Sequence, residues 1–150
     1  MLNDIAEKII FYLEKLGPLS IFALRVWVAH IFFASALLKL PNGFLGLGMG
    51  DWGTTVLLFM EEHPVPLLPA EVAAVLGTTV EFLAPIALVL GLGARIGAVG
   101  LLVMTAVIEF TYQHSMEHII WAISLSVILF QGPGLISIDH FIRKRLLNDC

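Results

Sequence analysis

The stretch HSMEH, His114 to His118, matches H-x-x-E-H. In an inverted zinc-peptidase helix, that spacing presents two histidine ligands beside a working glutamate. The chemistry would be hydrolysis by a metal-activated water. It needs a third protein ligand further along the chain, usually a glutamate. The 32 residues after His118 contain no glutamate. Their two aspartates, Asp139 and Asp149, fall on the opposite side of a membrane in the topology that the basic residues set. A metallopeptidase is therefore not expected. A simpler metal chemistry stays open. If a helix starts near residue 114, His114 and His118 share one face, and His63 and Met116 can add ligands for zinc or copper. Solvation at a membrane surface accounts for the same residues without a metal.

A second group of chemistry-bearing residues lies inside apolar sequence. Glu81 stands in AEVAAVLGTTVEFLAPIALVL, and Arg25 and His30 stand in LSIFALRVWVAHIFFASALLKL. Ionisable groups at membrane depth are expensive and tend to be paired or functional. At about 1.5 Å per residue, His30 and Glu81 each lie about 16 Å into their segments, and Arg25 about 9 Å. A carboxyl group at that depth must be neutral or paired. Arg25, His30 and Glu81 are thus expected to form a buried proton-handling network between the first two spans. A structural ion pair that fixes helix register is the plainer alternative. Pro85, four residues after Glu81, frees a backbone carbonyl nearby and can kink the second span.

The elements that must position these groups can be read from composition. Of the 150 residues, 59% are hydrophobic and 13% charged, about half the charge of a soluble domain. Mean hydropathy is +0.95. The fold class expected is all-α, a single integral membrane domain built as a four-helix bundle. Spans are expected near 19–40, 70–90, 96–112 and 117–130. Residues 1–16 read as an amphipathic interfacial helix ended by Gly17-Pro18, with packing against the rest of the protein as the alternative. The segment DWGTTVLLFM, 51–60, is too short to cross and reads as a re-entrant or interfacial helix. Gly132-Pro133-Gly134 stops the last span, Ser137 or Asp139 can cap the segment HFIRKRLLNDC, and 135–150 is a basic tail. The lone Cys150 cannot form an internal disulfide, and no haem, flavin or iron–sulfur motif is present. No basic, aromatic-interleaved patch points to nucleic acid.

Lysine and arginine orient the bundle. Lys8, Lys15, Arg95, Arg143, Lys144 and Arg145 fall on one side, whereas the 41–69 loop has no lysine or arginine. Both termini are then expected in the cytoplasm. The opposite mouth gathers Trp52, Tyr112, Glu109, His118 and Trp121. His118 and Trp121 are three residues apart, a spacing that can cradle a flat ring.

The runs RVWVAHIFFASALLKL, VEFLAPIALVLGLGARIGA, HIIWA and GPGLISIDHF, in that order, resemble the DoxX family of small four-span bacterial membrane proteins. The resemblance covers about 20–142. The loop is similar to a subgroup found beside metal-stress or copper-related peptides. The resemblance implies a four-helix membrane bundle in a bacterial inner membrane and a link to redox chemistry, since DoxX-like proteins include a subunit of a thiosulfate:quinone oxidoreductase. By motif it carries over Arg25, Lys39, Asp51, Trp52, Glu81, Arg95, His118, Trp121, Gly132, Gly134, Ser137 and Asp139. The chain departs at Ser35-Ala36, where many relatives have a glycine, and at TYQHSMEH, where the loop subgroup often has Tyr-Pro. The expectation is a membrane subunit of quinone-linked redox chemistry, with lipid around it and electrons supplied by a partner protein. Lys39 joins the rim residues as a ligand contact on the strength of the resemblance. The alternative is a non-catalytic scaffold or a copper- or zinc-handling module that recruits redox or metal-handling partners. A homo-oligomer stays open.

Overall fold

The structure is a computed structural model that describes residues 2–62, 65, 68–111 and 114–148. His63, Tyr112, Asp149 and Cys150 lie outside the described residues. Six α-helices occur among those described: α1 Leu2–Lys39, α2 Trp52–Glu61, α3 Ala70–Leu90, α4 Ala94–Thr111, α5 Met116–Gln131 and α6 Ile138–Asn148. The chain is an all-α integral membrane bundle. Three segments, Ile10–Lys39, Ala70–Leu90 and Ala94–Thr111, are long and apolar enough to cross a membrane, and α5 is a shorter apolar helix.

The first boundary differs from the sequence expectation. Gly17-Pro18 does not end a helix; α1 runs through it for 38 residues. A proline removes one backbone hydrogen bond, which leaves the carbonyl of Glu14 unserved. That carbonyl lies on a stretch, 10–17, that is exposed throughout, where outside groups can satisfy it. At about 1.5 Å per residue, α1 is about 57 Å long, far beyond a hydrocarbon core of about 30 Å. Its first turns therefore extend past the bundle. Ile10, Phe11, Leu13 and Leu16 are all exposed, so this half does not pack on the rest of the protein.

The bundle proper is made by α1, α3, α4 and α5, with α1 on α3, α3 on α4, α4 on α5 and α5 closing back on α1. Its core is Val28, Phe32, Leu88, Leu101, Leu125 and Ile128. Large apolar side chains such as Ile96, Val103, Phe110, Ile123 and Phe130 face outward, as a lipid-facing surface requires. Small residues set the α3–α4 spacing. A Cβ on Gly97 would stand 3.2 Å from the Ala84 carbonyl oxygen, so this crossing needs a glycine or a local retreat.

The segment read as a re-entrant or interfacial helix is helix α2. Asp51 caps it, accepting from the Thr54 N–H at 2.9 Å. That bond and the Thr54 hydroxyl hold the Asp51 carboxyl below the ordinary aspartate value. Phe59 buries against Ala73 and Ala74 in the first turns of α3. The Thr55 hydroxyl donates to the Lys39 carbonyl at 2.7 Å, so α2 sits over the end of α1. At the other end of the bundle α5 stops at Gly132, and Ser137 caps α6 by accepting from His140 N–H at 3.2 Å. Asp139 serves a different helix: its carboxylate accepts from Gly93 N–H at 3.0 Å and Ala94 N–H at 3.4 Å, at the start of α4.

Candidate functional site

Glu81 is 1% exposed, deep on α3, and its partner is Lys39. The Lys39 Nζ stands 2.6 Å from both carboxylate oxygens and 3.0 Å from the Ser35 Oγ. Ser35 and Lys39 are one turn apart on α1 and so share a face. Ser35 also approaches both Glu81 oxygens at 3.5 Å. The ammonium lies 5.9 Å from the centre of the Phe59 ring, which adds a cation–π contact.

The expected Arg25–His30–Glu81 network does not form. Arg25 is fully buried, but its guanidinium donates to the carbonyls of Val89, at 3.0 Å, and Pro133. Val89 lies in the last turn of α3, whose carbonyls have no intrahelical donor, and a cation suits that end of the helix dipole. Arg25 is thus a helix-end clamp. His30 is exposed on α1 beside the Pro85 groove, away from Glu81. Depth alone had put Arg25, His30 and Glu81 together. Depth says nothing about which way a residue faces around its helix.

The Lys39–Glu81 pair forms one wall of a cleft of about 400 Å³. Ser35 and Phe32 from α1, Ser115 before α5, and Glu117, His118 and Trp121 from α5 complete its polar and aromatic lining. Trp121 packs edge-on against Phe32 at 5.4 Å and tilted against His118 at 5.1 Å, which fixes its plane. Four expected residues, Lys39, Glu81, His118 and Trp121, therefore meet. Ser35 and Phe32 join them unanticipated. The Ser35–Lys39 spacing was the available signal.

The two histidines of the HSMEH stretch turn to one carboxylate. Glu109 near the end of α4 accepts from His118 Nδ1 at 2.7 Å, from His114 Nδ1 at 3.0 Å and from Ser115 N–H at 3.2 Å. Glu109 thereby clamps the α4–α5 connection and orients the His118 ring, whose Nε2 has no hydrogen-bond partner among the described residues. Met116 is exposed. Among the described residues no three His, Cys, Asp or Glu side chains gather as a metal-holding group. Trp52 lies elsewhere, in an apolar groove with Phe44 and Phe82.

The arrangement can do limited chemistry. It offers an ammonium and a hydroxyl as donors, a carboxylate to hold or return a proton, and an oriented imidazole, all beside a rigid aromatic wall. A family model, DoxX, matches residues 20–114, and the chain belongs to the DoxX family of membrane proteins. No curated protein and no solved structure gives a match.

Proposed function

We propose that this DoxX-family chain is a membrane subunit whose cleft binds a quinone-type ring and manages its protons, with electrons supplied by a partner protein. The observation that carries the reading is the Lys39–Glu81 ion pair opening onto an aromatic-walled cleft. The volume, about 400 Å³, falls within the roughly 300–1,000 Å³ of small-molecule sites. A flat ring with acceptor oxygens matches the donors present, Lys39 Nζ and Ser35 Oγ, and the faces of Trp121 and Phe32. The quinone supplies the two-electron, two-proton couple when bound. Lys39 and Ser35 orient a ring oxygen by donating to it. Glu81 holds Lys39 in place and is a proton store one hydrogen bond away. His118, turned by Glu109, is a second proton carrier on the opposite wall. Both termini lie in the cytoplasm of a bacterium in this reading, and the cleft opens towards the far face of the inner membrane.

The test is a titration of the purified full-length chain with a short-tailed benzoquinone, following tryptophan fluorescence. Saturable quenching is expected, lost in Trp121→Phe and kept in Trp52→Phe. Quenching that never saturates, or that Trp121→Phe leaves unchanged, refutes the reading.

A further inference from the structure

A second cleft, of about 470 Å³, lies at the opposite end of the bundle from the ion pair. Arg95 on α4, His140 and Arg143 on α6, and Gln131 at the end of α5 supply polar side chains, with Ser137 and Asp139 beside them. Its floor is the Gly132–Gly134 turn, and Pro18 on α1 closes one side. From this geometry we propose that the cleft takes a phosphate group presented at the membrane surface, as in the headgroup of an anionic lipid.

Three observations support a built site rather than scattered surface charge. First, the floor is fixed. Arg25, fully buried, donates from beneath to the Pro133 carbonyl, in the middle of the turn. Second, Arg95 is held close against that floor. Gly132 is buried at φ +83°, and a Cβ there would come within 3.1 Å of the Arg95 guanidinium. The guanidinium therefore rests directly on the turn. Third, Arg95 and Arg143, both exposed at the mouth of the cleft, have no hydrogen-bond or ion-pair partner among the described residues. His140 and Arg143 are three residues apart on α6 and so lie on one face.

The one carboxylate in the cleft is Asp139, and the Gly93 and Ala94 N–H groups already occupy it at the start of α4. Arg95 stands in that first turn of α4, whose dipole the Asp139 carboxylate already meets. Guanidinium groups suit phosphate oxygens because their N–H fork matches the oxygen spacing. The cleft also lies where headgroups would be: α4 begins here, and the long apolar helices α1, α3 and α4 place this end at one boundary of the hydrocarbon. A cation near an anionic leaflet contributes about fivefold in affinity.

The experiment uses the full-length chain in neutral detergent and native mass spectrometry. It is titrated with short-chain phosphatidylglycerol, with phosphatidylcholine and with inorganic phosphate. Preferential phosphatidylglycerol adducts are expected, weakened about fivefold by Arg95→Gln and again by Arg143→Gln. Arg145→Gln, outside the cleft, is expected to change nothing. Inorganic phosphate that occupies the site without any lipid adduct assigns the same site to the free anion. Equal affinity for the two lipids with no phosphate binding, or an equal loss with Arg145→Gln, overturns the proposal. Arg143→Gln keeps the test decisive if Arg95→Gln fails to fold.

Discussion

Helix α1 places a cation at each end of the bundle, and the two are treated differently. Lys39 meets a carboxylate, a hydroxyl and an aromatic face, and borders an open cleft. Arg25 meets main-chain carbonyls and the Phe22 ring at 5.4 Å, and is sealed from outside. Its Nε has no hydrogen-bond partner among the described residues. A guanidinium can bridge the end of α3 to a turn because its fork spans two acceptors with fixed geometry. An ammonium is a compact donor on a flexible stem, better suited to exchange partners with a ligand. Burial of charge alone therefore does not mark a reactive site. The nature of the partner and access to a cavity separate the two ends.

The largest effect is expected where a charge would be left without its partner. Glu81→Gln strands the Lys39 ammonium and should cost about 3–5 kcal/mol of stability, the usual result of breaking one side of a buried pair. Chemical unfolding in detergent measures it. The double variant Lys39→Met, Glu81→Leu should recover most of that loss and still fail to bind a ring. A double variant as unstable as Glu81→Gln would mean that the cleft wall matters as shape and not as charge. At the other end, Arg25→Gln removes charged hydrogen bonds to carbonyls, each worth about 1.5–3 kcal/mol. Stability should fall while ligand affinity at the distant cleft stays unchanged. A parallel loss of binding would erase the contrast between the two ends.

A smaller effect is expected at Glu109. Glu109→Gln should loosen the α4–α5 connection, seen as faster amide exchange at Ser115 to His118, and weaken ring binding by freeing His118. The smallest concerns Asp51. Its carboxyl titrates lower in the folded chain than in the unfolded one, so the cap stabilises α2 above the unfolded aspartate value, near 3.9. That contribution is lost as pH falls through the lower folded value. Protection of the Thr54 amide, its exchange rate relative to that of an unstructured peptide at the same pH, should be flat from neutral pH down to about 4 and fall below it, and Asp51→Ala should show the low protection at every pH.

The spans were legible because apolar runs of membrane length leave few alternatives, and α3 begins and ends where the hydropathy does, at Ala70 and Leu90. Three features were not. Pro18 looks like a stop, yet one lost hydrogen bond on an exposed stretch is too little to break a 38-residue helix. The Lys39–Glu81 pair was hidden by level. Lys39 reads as the rim of the first span, whereas Glu81 lies 11 residues below the start of α3. They meet because α1 ends below the top of α3, and α2 fills the vacated space through Phe59 against Ala73 and Ala74. No local pattern reports such an offset. His118 and Trp121 were readable from spacing, because both face one side of a single helix. The role of Glu109 was not, since it bonds across a turn to residues five, six and nine positions away.

The most direct test compares the affinity of a short-tailed benzoquinone for the wild-type chain, for Lys39→Met, Glu81→Leu and for Arg25→Gln, each confirmed folded by its circular dichroism. Saturable binding by the wild type and by Arg25→Gln, with none by the Lys39/Glu81 double variant, is the predicted result. Equal affinity in all three would contradict the assignment of the Lys39–Glu81 cleft as the functional site.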